Sequence, residues 1–175
     1  IVCMDMLMKK KDYSKLEDYI GNISDGLDAQ LDMVDTNNDV VNAILNAKYY
    51  EAIKNDVLFV LKINDLSDIK VSDEDIVTIL SNLLDNAIEA ALKAVNKRIS
   101  VDIYSDEQAM VIKISNTTEE NVLKNNPEMN TTKKDNSYHG YGIKNVSELV
   151  KKNNGTIEYI QLGVDIVQCR VLLML

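Results

Sequence analysis

The opening run IVCMDMLMKKK is apolar at positions 1–4 and 6–8 and reads as a helix entered partway along. Ser14 and Glu17 form a capping box. After it, Leu16, Ile20, Ile23, Leu27 and Leu31 recur at steps of three or four residues, the stripe of an amphipathic helix. Gly21 and Gly26 each weaken that helix by about 1 kcal/mol relative to Ala, so it needs a partner. Thr36-Asn37-Asn38-Asp39 offers a new N-cap for a second helix to about Lys54, with Val41, Ile44, Leu45, Lys48 and Ala52 on one side. VLFVLKI at 57–63 is β-rich and bounded by polar turns, the pattern of a strand. Ser72 then caps a helix over 72–96, with Glu74 and Asp75 in its first turn and Ile76, Leu80, Leu83, Ala87, Ala90 and Ala94 as its core stripe. Strands follow at 99–105 and 109–115, joined through Asp106-Glu107-Gln108. The stretch from Thr117 to His139 has few apolar residues, and a loop of that length in a compact domain suggests a functional lid or a linker. Gly140-Tyr141-Gly142 ends it. Ile143, Val146, Leu149 and Val150 begin another helix, for which Gly155 suits the C′ position. Residues 156–161 and 165–174 read as a closing pair of strands. The pattern predicts a helical N-terminal piece followed by an α+β domain with helices on one face of a sheet.

Composition narrows the possible chemistry. The chain has 175 residues, 46% apolar, with one His, one Pro, two Cys and no Trp. Cys3 and Cys169 sit at opposite ends without a C-x-x-C spacing, which argues against a zinc site or a disulfide scaffold and for a reducing cytosol. No apolar run approaches the roughly 20 residues of a membrane span, and no signal peptide is visible. A net charge of −9 argues against a nucleic-acid partner. Only residues 116–155 escape the acidic excess, with 6 basic and 5 acidic side chains, among them Lys124, Lys133, Lys134, Lys144, Lys151 and Lys152. Chance scatter and a local anion site both explain that.

A few residues could carry chemistry. Asn82 and Asn86 lie four apart on one helix face, although Asn disfavours helix interiors. They read either as a solvated polar face or as carbonyl oxygens offered to a hard cation such as Mg²⁺. Gly140 and Gly142 open a helix, where backbone amides bind phosphate and glycine permits close approach; a loop that needs positive φ explains them equally well. Lys144 adds a charge beside them. Asn116, directly after the predicted strand 109–115, is either a turn residue or a carbonyl for an exocyclic amino group.

Taken in order, these features resemble the GHKL superfamily of ATP-binding domains. NLLDNAIEA at 82–90 looks like its N box and HGYGIKNV at 139–146 like its second glycine-rich box. With DTNNDVVNAILNAK at 35–48, the combination is similar to the AgrC-type branch of sensor histidine kinases. The resemblance implies a Bergerat-type sandwich over 36–175, a mixed sheet covered on one face by helices. Residues 1–35 would be the end of a truncated dimerisation and phosphotransfer hairpin. It further implies that Asn86 coordinates Mg²⁺, that Asn82 supports the phosphates, and that Asn116 binds the adenine amino group. Most of the superfamily has Asp there, within a glycine-containing first box that reads SNTTEE in this chain. His139, Gly140, Tyr141, Gly142 and Lys144 would lie along the triphosphate under a lid at 117–139.

Members that hydrolyse ATP place a general-base Glu where this chain has Asn82, which cannot take a proton. Phosphoryl transfer to a protein side chain is therefore the expected activity. His139, the only His, lies inside the glycine box, so the acceptor His is expected before Ile1 and this fragment is expected not to phosphorylate itself. The implied partners are ATP, Mg²⁺, a response regulator and a second copy joined through the N-terminal helices. The implied location is the cytosolic portion of a membrane-anchored sensor. Two alternatives are a nucleotide-free interaction module with the same fold and an anti-sigma-type serine kinase.

Overall fold

The computed structural model describes residues 34–125 and 142–175. The elements described below fall within Asp35–Leu175, one of the two compact units into which the chain divides. The stripe Leu16–Leu31, the hairpin over 1–35 and the residues His139, Gly140 and Tyr141 lie outside the described residues, apart from Val34 and Asp35 at the hairpin's end.

Helix α1 (Asp39–Lys54) begins where expected, because the Asn38 side chain accepts the Val41 amide at 3.0 Å; such a cap contributes about 1 kcal/mol. The segment before it is tied down on both sides. The Thr36 amide and hydroxyl donate to Asn42 Oδ1 at 2.9 and 2.8 Å, and the Thr36 carbonyl accepts from the Leu66 amide at 2.8 Å. Strand β1 (Leu58–Ile63) follows, with Tyr49 of α1 edge-on to its Phe59, ring centroids 5.9 Å apart. Helix α2 (Asp73–Lys93) is capped by Ser72 and stops three residues short of the predicted 96. It buries Ile79, Leu84, Ile88 and Ala91 besides Ile76, Leu80, Leu83 and Ala87 of the predicted stripe, whereas Ala90 is half-buried and Ala94 is its C-cap. A single stripe underestimates this helix, since it lies on the sheet between two other helices and is covered on three sides.

Strands β2 (Arg98–Ser105) and β3 (Ala109–Thr117) form the hairpin, whose turn Asp106 fixes by accepting the Gln108 and Ala109 amides, each at 2.9 Å. A short helix α3 (Val122–Asn125) interrupts the stretch expected to be a loop. Helix α4 (Gly142–Lys152) and strands β4 (Thr156–Gln161) and β5 (Ile166–Met174) complete the fold. The five strands run in the order β1-β2-β3-β5-β4; β1 and β2 are parallel and all other neighbours antiparallel. Alternate residues of the central strands, Ile99, Val101 and Ile103 or Met110, Ile112 and Ile114, are buried on the face where α2 packs on β2 and β3, α1 on β1 and α4 on β4 and β5. The other face is the wetter one, carrying a Glu158–Arg170 ion pair and Lys113 over the Tyr104 ring. The expected mixed α+β sandwich is therefore present. Among the described residues, no helix is long and apolar enough to cross a membrane.

The end of α4 departs from expectation by one residue. Asn154 holds the left-handed conformation (φ 50°) at C′, its amide bonds to Lys151 O, and the Gly155 amide reaches Val150 O, a Schellman arrangement with Gly155 at C″. Gly155 is glycine for another reason. A Cβ there would stand 2.0 Å from the backbone oxygen of Leu172 on β5.

Candidate functional site

Asn116 is the first correction within the predicted site. It does not follow its strand but lies inside β3, paired with Ile99 on one side and Val167 on the other. The turn reading therefore falls. β3 outruns its apolar alternation because both neighbours supply ladder bonds through residue 116. Along the helix-facing side of β3 the row Met110, Ile112, Ile114 is apolar, and Asn116 closes it as a polar residue only 8% exposed. Its Nδ2 donates to the Thr117 carbonyl at 3.0 Å.

A pocket of about 100 Å³ opens where that row ends. Asn86 and Asn116 stand in its wall together with Thr118, Ile143, Tyr159 and Cys169. Three sequence-distant motif regions thus converge: the Asn-bearing helix α2, the end of β3, and the first turn of α4 through Ile143. Asn86 is half-buried, and its side chain makes no hydrogen bond among the described residues. A free carbonyl oxygen of that kind suits one ligand position of a hard cation. Among the described residues no group of three or more His, Cys, Asp or Glu side chains is placed to hold a metal. An ion at Asn86 would draw the rest of its shell from phosphates and water.

Asn82 is placed differently. Its Nδ2 donates back to the Thr78 carbonyl one turn earlier at 2.7 Å, and its Oδ1 lies against Gly142. Gly142, the first residue of α4, is not in a positive-φ conformation. At this position the reading of the glycine as a loop-former gives way to a demand for space.

The lysines of the near-neutral segment separate into two groups. Lys144 is exposed in the first turn of α4, as an anion site requires. Lys152, at the other end of α4, is spent on structure: its Nζ donates to both carboxylate oxygens of Asp75 at 2.9 Å, and Asn153 Nδ2 adds a third contact at 2.9 Å. The Asp75 side chain is only 7% exposed, and the Asn153 and Lys152 hydrogen bonds hold its carboxyl below the usual range. Elsewhere on α2, Lys48 of α1 reaches across to Asp85, the residue before Asn86, and also pairs with Glu51. Partial burial opposes its charge, but the two carboxylates outweigh that and raise its pKa.

Tyr159 and Cys169 entered the pocket without a sequence signal, since each reads as an ordinary strand residue. They are cross-strand partners on β4 and β5. Burial pushes the Cys169 thiol up to about 12, so it stays protonated at neutral pH and serves as apolar wall. Burial, then the neighbouring thiol, raises the Tyr159 phenol as well. A larger cleft of about 440 Å³ lies at the opposite end of the sheet, between Asn64–Lys70 and Ser105–Glu107. It contains none of the motif residues.

The GHKL domain family matches residues 71–172, from just before α2 into β5 and across the whole pocket. This chain belongs to the GHKL family. As a GHKL domain it shares its fold with histidine-kinase catalytic domains. The catalytic domain of the histidine kinase ThkA superposes with a TM-score of 0.63 at 15% identity, over 78% of this chain and 90% of that one. The mycobacterial sensor histidine kinase MprB gives 0.60 at 16% identity, over 78% and 93%. Full-length ShkA in complex with AMPPNP gives 0.59 at 11% identity, over 80% of this chain but 30% of ShkA. No curated protein is significantly similar in sequence.

Proposed function

We propose that this GHKL domain is the ATP-binding catalytic region of an AgrC-type sensor histidine kinase. The observation that carries the reading is the convergence of Asn86, Asn116 and the start of α4 on one pocket, although they are separated by long stretches of sequence. The adenine ring would enter beside Asn116, whose Nδ2 is engaged with Thr117 O, leaving Oδ1 to accept an amino group. The pocket's size suits a base alone. The sugar and phosphates would then run outward past Gly142, with Lys144 near them and Asn86 as the protein's ligand to Mg²⁺. When bound, Mg²⁺ neutralises phosphate oxygens as the γ-phosphoryl departs. His139, Gly140 and Tyr141 complete the glycine box in this reading.

In this reading the γ-phosphoryl passes from ATP, leaving ADP, to an imidazole nitrogen of a histidine outside this domain, for relay to a response regulator. Asn82 in place of a general-base Glu supports transfer over hydrolysis, because an amide cannot take a proton from water. Dimerisation through the N-terminal helices and a cytosolic position beneath a membrane-anchored sensor belong to the same proposal.

Titration with a fluorescent ATP analogue, with and without Mg²⁺, tests it. The domain should bind, and Asn86→Ala should abolish most of the Mg²⁺-dependent gain, about tenfold or more in affinity for a charge-assisted ligand contact. Unchanged Mg²⁺ dependence would remove Asn86 from the site. The second reading, a nucleotide-free interaction module, is favoured by the glycine-free SNTTEE segment and the small pocket. Absence of binding at millimolar nucleotide would establish it.

A further inference from the structure

A Cβ built on Gly142 would stand 2.7 Å from Asn82 Oδ1, 3.6 Å from its Cγ and 4.0 Å from its Cβ. Side-chain carbons do not approach an oxygen that closely, so an alanine would force either Asn82 or the start of α4 to move. Asn82 resists. Its Nδ2 is hydrogen-bonded to Thr78 O at 2.7 Å, and swinging the amide aside would break that bond. The amide is therefore held at one end by its own helix and meets the neighbouring helix with the other. Gly142 is the residue that accommodates it, without positive φ to explain the glycine.

We infer that Asn82 is a positioning residue: its fixed amide is the stop against which Gly142 rests, and this contact sets the height of the first turn of α4 over α2. Ile143 follows Gly142 directly and Asn86 follows Asn82 by one helical turn, and both line the same pocket. A shift of a few tenths of an ångström at the Asn82–Gly142 contact is thus transmitted to the distance between Asn86 and the α4 terminus. The two boxes read separately in the sequence form one fitted joint. The inference deepens the nucleotide reading and, for its functional part, rests on it.

A double-mutant cycle tests the joint. The whole chain, Asn82→Ala, Gly142→Ala and the double variant are titrated with the fluorescent ATP analogue, with and without Mg²⁺, while thermal unfolding is followed in parallel. Gly142→Ala should weaken binding about tenfold, even though Ala favours a helix over Gly. In the Asn82→Ala background the same change should alter affinity less than about twofold, because the opposing oxygen is gone. Equal factors in both backgrounds would overturn the inference and return Gly142 to a direct phosphate role. Asn82→Ala alone should weaken binding by the same factor with and without Mg²⁺. A loss confined to the Mg²⁺ titrations would overturn the positioning role and put Asn82 in the ion's shell. If the unaltered chain binds no nucleotide, the functional reading fails, and the joint is judged by the unfolding cycle: a less destabilising or a stabilising effect of Gly142→Ala without the Asn82 side chain supports it, and additivity overturns it.

Discussion

Helices α2 and α4 meet at two places, and the two are built on different principles. At one end, the buried Asp75 carboxylate accepts hydrogen bonds from Lys152 and Asn153. Nearby, the Asn153 carbonyl accepts the Met174 amide and Gly155 presses on the Leu172 carbonyl. At the other end, Asn82 meets Gly142 by shape, with no hydrogen bond between them among those described. Charge-assisted bonds fix a geometry by direction as well as distance. A steric stop only forbids closer approach. The bonded end therefore anchors α4 to the sheet and to α2, and the fitted end limits how closely the first turn of α4 approaches α2.

Stability measurements on the two ends should separate sharply. Gly155→Ala is expected to have the largest effect, about 3 kcal/mol, because the new Cβ meets backbone oxygen atoms of Leu172 and Val150 that cannot rotate away. An unchanged urea midpoint would mean that the end of α4 does not lie against β5 as described. Gly142→Ala at the fitted end should change the unfolding free energy from the same titration by less than about 1 kcal/mol, helix propensity offsetting part of the clash.

Asp75→Ala comes next, at about 1–2 kcal/mol. It removes charge-assisted bonds, but Lys152 is 63% exposed and returns to water at little cost. The pH dependence has a defined sign. Because the folded carboxyl is held below its unfolded value, its contribution is complete above the ordinary Asp range of about 4 and is lost as pH falls through the depressed folded pKa. Stability of the unaltered domain should drop on acidification through that window, and the variant should drop less steeply. Parallel acid profiles would remove Asp75 as the anchor. The smallest effect is expected at Lys48→Ala, about 0.5 kcal/mol and reduced further by salt, since one of its two carboxylate partners, Asp85, is largely exposed. Its raised pKa places the loss of that contribution at alkaline pH, as the folded amine deprotonates.

Much of this fold was legible from local pattern. Ser72 and Asn38 announce their helices because a cap depends on residues two or three positions away, and the Asp106 turn closes β2 on β3 for the same reason. The N box and the glycine box were legible as motifs, and they marked α2 and α4, both of which line the pocket through Asn86 and Ile143. What the alternation missed was the length of β3. Asn116 reads as a strand end by composition, and only the two flanking strands turn it into a ladder residue that faces the pocket. Tyr159 and Cys169 were equally silent, since a pocket wall and a core look alike in a strand of alternating residues.

The near-neutral segment 116–155 is the clearest case of what counting cannot resolve. Its lysines read as one group, yet Lys144 stands exposed at the start of α4 while Lys152 is bound to a carboxylate 77 residues away. The same holds for the glycines. Gly142 and Gly155 both punctuate a helix in the sequence, but one is demanded by a side chain of α2 and the other by a backbone oxygen of β5. By itself, the sequence determined the elements, their caps and the family motifs, because these are set by spacings of a few residues. Which lysine stays exposed, which asparagine lines the pocket and what each glycine makes room for were decided by tertiary structure, because the partner atoms come from chain segments that meet only when the sheet and its helices are packed.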